Sequence, residues 1–197
     1  NEDGTMARKK ALLDFSQKHN IKIGTIADLI NYRILNEKTV EKIEQKSVKT
    51  EYGKFNLILY KDLIFDETHL VLQKGKISKN SPTLVRVQQS NFFHDLLNID
   101  EYGARWSVSD SMRKINEAGK GIILLIDGEN KKQDEFQEIN ASKKKRITVP
   151  NNDPRRIGIG SQILRDLGVK KIKLLGSEVR YPSLSGFDLE VTEYIKK

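Results

Sequence analysis

Cysteine is absent from all 197 residues, which excludes disulfides and every thiolate metal site. No apolar run approaches the roughly 18 residues that a membrane-spanning helix needs. The first residues, Asn1-Glu2-Asp3-Gly4, show neither an initiator Met nor a signal-peptide pattern. That predicts continuation from an upstream segment and, with no secretory signal, a cytoplasmic setting. Aromatic residues are scarce at 7%. The basic run Lys143 to Arg146 has none interleaved for stacking on bases. The net charge of +8 therefore reads as a Lys-rich surface rather than a nucleic-acid footprint. What the chain does have is 37% hydrophobic and 31% charged residues, enough for a sizeable core under a heavily charged surface.

Hydrophobic spacing divides the chain by period. Residues 8–19 place Leu12, Leu13 and Phe15 on one helical face. Thr25, with Asp28 three residues on, reads as the N-cap of a helix through Ile26, Leu29, Ile30 and Ile34. Asn36 to Lys46 is charged and reads as a linker or a first edge strand. Strands follow at Lys54 to Asp62, Thr68 to Lys74 and Thr83 to Gln89, punctuated by Gly53, Gly75 and Pro82. Ser107 to Ala118 reads as a helix closed by Gly119, and Gly121 to Ile126 as a fully apolar strand. Glu129 to Arg146 is polar and of low complexity, a predicted loop. A helix over Arg156 to Leu167, stopped by Gly168, precedes strands at Lys171 to Leu175 and Leu189 to Ile195. Gly158-Ile159-Gly160 lies inside the helical pattern and lacks a third glycine, so it predicts close helix packing rather than a phosphate loop. Strands first and βα alternation later predict an α/β fold, a mixed sheet with packed helices.

Two segments carry family likenesses. Asp3-Gly4-Thr5-Met6-Ala7-Arg8, Lys18-His19-Asn20 and Thr25-Ile26-Ala27-Asp28-Leu29-Ile30 resemble the last part of 3,4-dihydroxy-2-butanone 4-phosphate synthases. Thr83 to Val87, Glu117 to Ile122 and, most strongly, Ile157 to Val169 are similar to GTP cyclohydrolase II. The order is that of the fused bifunctional riboflavin enzymes. The resemblance implies a synthase remnant over 1–36 and a cyclohydrolase II-like domain over 37–197. It also implies a homodimer and a synthase partner domain that uses Mg²⁺ upstream of this segment.

The same resemblance shows what is missing. Cyclohydrolase II opens the imidazole ring of GTP with Zn²⁺ held by three Cys, the metal lowering the pKa of a bound water. Here the corresponding positions are Asn91, Tyr102 and Ala104, so zinc is expected to be absent. His94, Asp95, Asp100 and Glu101 in the same stretch are competent ligands but show no metal-binding spacing. The family's Arg-Val-His-Ser-Glu becomes Arg86-Val87-Gln88-Gln89-Ser90, and its Arg-Gln-Glu-Gly-Arg becomes Asp127-Gly128-Glu129-Asn130-Lys131. Arg86, Glu129 and Lys131 are thus vestigial nucleotide positions. Asp153 and Arg155 match the catalytic Asp-x-Arg, although Asp153 before Pro154 also suits an N-cap. The family's Thr-Asn-Asn-Pro is replaced by Gly176-Ser177-Glu178-Val179.

The expected function is a catalytically degenerate cyclohydrolase II-like domain of a riboflavin-biosynthesis protein, structural or regulatory, beside an active synthase. Two alternatives stay open: a hydrolase with a non-cysteine metal site, and a basic nucleic-acid module. If Arg86, Lys131 and Arg155 converge, weak, salt-sensitive binding of phosphate or nucleotide is expected.

Overall fold

The computed structural model describes residues 4–89, 95, 105–126, 154–179 and 182–197. The predicted loop over 129–146 and the positions Asn91, Tyr102, Ala104, Glu129, Lys131 and Asp153 lie outside them.

Two helices come first, α1 (Lys9–His19) and α2 (Ile26–Asn36). Thr25 caps α2 as its residue type predicts, its hydroxyl accepting from the Asp28 amide at 3.0 Å. Strands β1 (Val40–Thr50), β2 (Gly53–Asp62) and β3 (Thr68–Lys74) form an antiparallel meander. The chain then alternates through β4 (Thr83–Gln89), α3 (Val108–Ala118), β5 (Gly121–Ile126), α4 (Pro154–Asp166) and β6 (Lys171–Leu175). A 3₁₀ turn (Pro182–Phe187), not anticipated from the pattern, leads into β7 (Glu190–Ile195). The strands join into one seven-stranded sheet in the order β1-β2-β3-β5-β4-β6-β7. The β3–β5 pair is antiparallel, and β5–β4, β4–β6 and β6–β7 are parallel.

The stretch Asn36 to Lys46 resolves as most of an edge strand. β1 is exposed along most of its length and, among the described residues, pairs with β2 alone. Its alternating Glu41, Lys42, Glu44 and Lys46 discourage another chain from adding to that edge.

Each face of the sheet carries its own core. On one side α4 and the 3₁₀ turn pack Ile159, Ile163, Leu164 and Phe187 against Ile58, Val71, Val85 and Leu124. On the other, α3 packs Met112 and Ile115 against Phe55, Ile123 and Leu175, with Trp106 at the rim. β5 is apolar throughout because neighbours cover it on both sides. The predicted close packing at Gly160 is present: a Cβ there would stand 3.2 Å from Ile126 Cδ1. Gly168 ends α4 in the left-handed conformation, φ +82°, and the Val169 amide closes the turn on the Leu164 carbonyl.

Polar pins fix α4 to the sheet. Gln162 Oε1 accepts from the buried Thr39 amide at 2.8 Å. Asp166 accepts from Lys38 Nζ at 2.7 Å and from the Tyr60 hydroxyl at 2.8 Å. Burial, then the bond to Asp166, pushes the Tyr60 phenol far above its ordinary value. For Asp166 itself burial pushes upward, but the hydrogen bonds from Lys38 and Tyr60 and the Lys38 charge outweigh it. Its carboxyl titrates below the usual range.

Candidate functional site

Side chains alternate along β4. Val85 and Val87 turn toward α4, so Arg86 and Gln88 turn toward α3. The Arg86 guanidinium is satisfied by the chain itself. Its Nε donates to Gln88 Oε1 at 2.8 Å, Nη1 to the Leu175 carbonyl at 2.9 Å and Nη2 to the Trp106 carbonyl at 3.0 Å. Gln88 stands at the family's His position, and its amide can accept and donate at once. It passes the network on, donating through Nε2 to both oxygens of Asp95 at 3.0 and 2.9 Å. Asp95 Oδ1 also accepts from the Val108 amide at 3.2 Å, in the first turn of α3, where a negative charge is favoured. Trp106 completes the arrangement, its indole N–H donating to the Ile195 carbonyl at 2.9 Å. Gly176, in place of the first residue of the family's Thr-Asn-Asn-Pro, lies against this Arg, where a Cβ would be 3.4 Å from Nη1. Three segments, β4, the end of β6 and the lead-in to α3, are thereby tied together through one cation.

Arg155 stands on the opposite face. From the first turn of α4 its Nη2 pairs with Glu67 at 2.5 Å, and its guanidinium carbon lies 3.3 Å from the centroid of the Phe65 ring. Asp62, Glu67 and His69 are beside it, with ligand-type atoms all within 4.8 Å of one another. Asp62 Oδ1 accepts from the Ile64 and Phe65 amides at 2.8 and 3.3 Å, shaping the β2–β3 turn, and Glu67 is already engaged by Arg155. Of its two carboxylates, Glu67 is paired with the chain's own cation and Asp62 anchors the turn.

The two described members of the expected triphosphate cluster therefore do not converge: a sheet separates Arg86 from Arg155. Residue types alone could not show this, because the face to which α4 packs is decided by tertiary structure. Asp95, a candidate metal ligand by type, instead holds Gln88 and the start of α3; His94, Asp100 and Glu101 lie outside the described residues. The Gln88–Asp95 link went unanticipated, and the Gln at the family's His position was its only signal. The family's zinc has no donor set of its usual kind here, since the chain contains no thiolate. Among the described residues no helix is long and apolar enough to cross a membrane.

The sequence model of the GTP cyclohydrolase II family matches residues 41–196, and the chain belongs to that family. Individual proteins similar to it bear other names. It is 44% identical, over 99% of its length and 54% of the other protein, to a 3,4-dihydroxy-2-butanone 4-phosphate synthase of Pseudomonas aeruginosa. It is 35% identical, over 98% of its length and 51% of the other, to the riboflavin biosynthesis protein RibBA of Aquifex aeolicus. Among solved structures it is similar to RibBX, described as a two-domain 3,4-dihydroxy-2-butanone 4-phosphate synthase from A. baumannii. That likeness has a TM-score of 0.62 and 40% identity over 98% of this chain and 51% of that one. The chain thus spans about half the length of the relatives it matches.

Proposed function

We propose that the chain is the second half of a two-domain riboflavin-biosynthesis protein whose reaction, ribulose 5-phosphate to dihydroxybutanone phosphate plus formate, belongs to the upstream half. In this reading residues 1–36 close the synthase domain, which supplies its own Mg²⁺ ligands. Residues 37–197 form a cyclohydrolase II-like domain with no cyclohydrolase activity, whose role is structural. The observation that carries the reading is the use made of Arg86. A cation that the family resemblance assigns to nucleotide is held by two backbone carbonyls and a glutamine of its own chain. Asn91, Tyr102 and Ala104 at the zinc-ligand positions support it, as do the relatives that bear the synthase name.

Loss of one group that stabilises charge at the reacting centre typically lowers kcat by about 10²–10³-fold. Here thiolates and nucleotide contacts are missing together. Purified full-length protein is expected to release no formate from GTP and to carry no stoichiometric zinc, yet to convert ribulose 5-phosphate with Mg²⁺. Formate from GTP, or about one zinc per chain by elemental analysis, would defeat the reading. The 197-residue chain by itself is expected to be inert toward ribulose 5-phosphate.

A further inference from the structure

The apolar side chains that the fold leaves uncovered are concentrated. Leu63, Ile64 and Phe65, consecutive in the β2–β3 turn, are 55%, 40% and 45% exposed. Ile64 and Phe65 line a cavity of about 50 Å³ with Arg33 of α2 and Arg155 of α4, so the turn and α2 share one surface. α2 also exposes Ile26, Leu29 and Tyr32, and α1 exposes Leu12, Leu13 and Phe15. Three consecutive exposed apolar side chains on an ordered turn mark an interaction site.

The turn is also held in shape. Besides its bonds to the Ile64 and Phe65 amides, Asp62 accepts from the Asp66 amide through its carbonyl at 3.0 Å, and the Leu63 amide donates to Thr39 at 2.9 Å. Arg155, clamped by Glu67, backs the Phe65 ring. A projection ordered in advance loses little entropy when it is covered.

We propose that this turn, next to α2, is a face on which the upstream half of the polypeptide packs. The proposal rests on the reading above that such a half exists. Its occupant is argued from length and position: the two-domain relatives extend for about as much again beyond the matched region. Arg33 of α2, the helix that the reading above assigns to the end of that half, lines the same cavity as Ile64 and Phe65. A tethered domain meets the surface at an effective concentration of about millimolar, well above that of a second copy in solution. Arg155 then has a new use: the position matching the family's Asp-x-Arg braces a docking turn instead of facing a phosphate.

The test uses the full-length polypeptide. Hydroxyl-radical labelling of Leu63 to Phe65 is compared with Ile43, 51% exposed on the edge strand β1, and amine cross-links from Lys61 are mapped. The expected result is labelling at least fivefold slower than at Ile43, independent of protein concentration, with Lys61 linked to the upstream half. L63E/I64E, which leaves Phe65 on Arg155, should restore fast labelling and abolish those cross-links, while K79E should not. Labelling as fast as at Ile43 overturns the proposal, as does protection that dilutes away with Lys61 linked only to a second copy. Formate release from GTP by the same preparation would defeat the functional reading separately, whatever the labelling shows.

Discussion

Residues 9–36 and the described residues between 40 and 195 both form regular elements, but they are held in different ways. α1 contains no buried residue, and its apolar side chains face outward. The sheet domain buries every residue of β5 but Leu125 and gives each face a core of its own. The first region is helical through local means, the Thr25 cap, the left-handed Asn20 after α1 and the Arg33–Glu37 pair. The second is helical and extended because apolar area is removed from water. Local propensity yields marginal helices, whereas burial yields cooperative stability.

The sharpest break of that contrast is in the core. Ile163→Ala should destabilise the domain by about 3 kcal/mol, since a fully buried branched side chain leaves a cavity under the sheet; urea unfolding reads this directly. Arg86→Ala comes next, at about 2 kcal/mol, because two carbonyls and Gln88 lose a charged donor. The expected pattern is loss of melting temperature with no change in calorimetric GTP binding at 150 mM salt. A large fall in GTP affinity with stability unchanged would return Arg86 to a nucleotide role.

Asp166→Asn should lower stability by about 1 kcal/mol at neutral pH, because the Lys38 ion pair is lost and the Tyr60 bond weakened. Its carboxyl titrates below the ordinary range in the folded chain. The stabilisation is therefore present above about pH 4 and lost as pH falls through the folded value. The wild-type minus variant difference should shrink on acidification, and a difference that stays constant would show the carboxylate charge to be irrelevant. Smallest of all, Leu12→Ala should change the stability of the 197-residue chain by about 0.5 kcal/mol or less. In the full-length polypeptide it should do more, and that rise measures how far the contrast between the two regions depends on what covers α1.

Much of the fold was legible in the sequence where burial is patterned. The run Gly121 to Ile126 announced a strand covered on both faces, and Gly168 the stop of α4. Thr25 and Gly119 marked helix boundaries through cap chemistry that depends on residue type alone. β1 was harder to read because it is exposed on both faces. It has no alternation to detect, and only its ladder with β2 makes it a strand. The 3₁₀ turn at Pro182–Phe187 was likewise missed, since Phe187 and Leu189 reach the core without helical or strand spacing.

By itself the sequence determined the chemistry that is unavailable: with no thiolate anywhere, no arrangement of this chain can rebuild a three-cysteine zinc centre. It also carried the cations that the resemblance aligns with family positions, Arg86, Lys131 and Arg155, of which Arg86 and Arg155 lie among the described residues. Only the tertiary structure decided what those two do. Residue type specifies a charge and its donors, whereas the face of the sheet and the groups within 3 Å come from segments up to 89 residues away. α4 packs over Val85 and Val87, so Arg155 is carried to the β2–β3 turn. Arg86, one residue out of phase, is turned to the other face, where the carbonyls of Trp106 and Leu175 already await a donor.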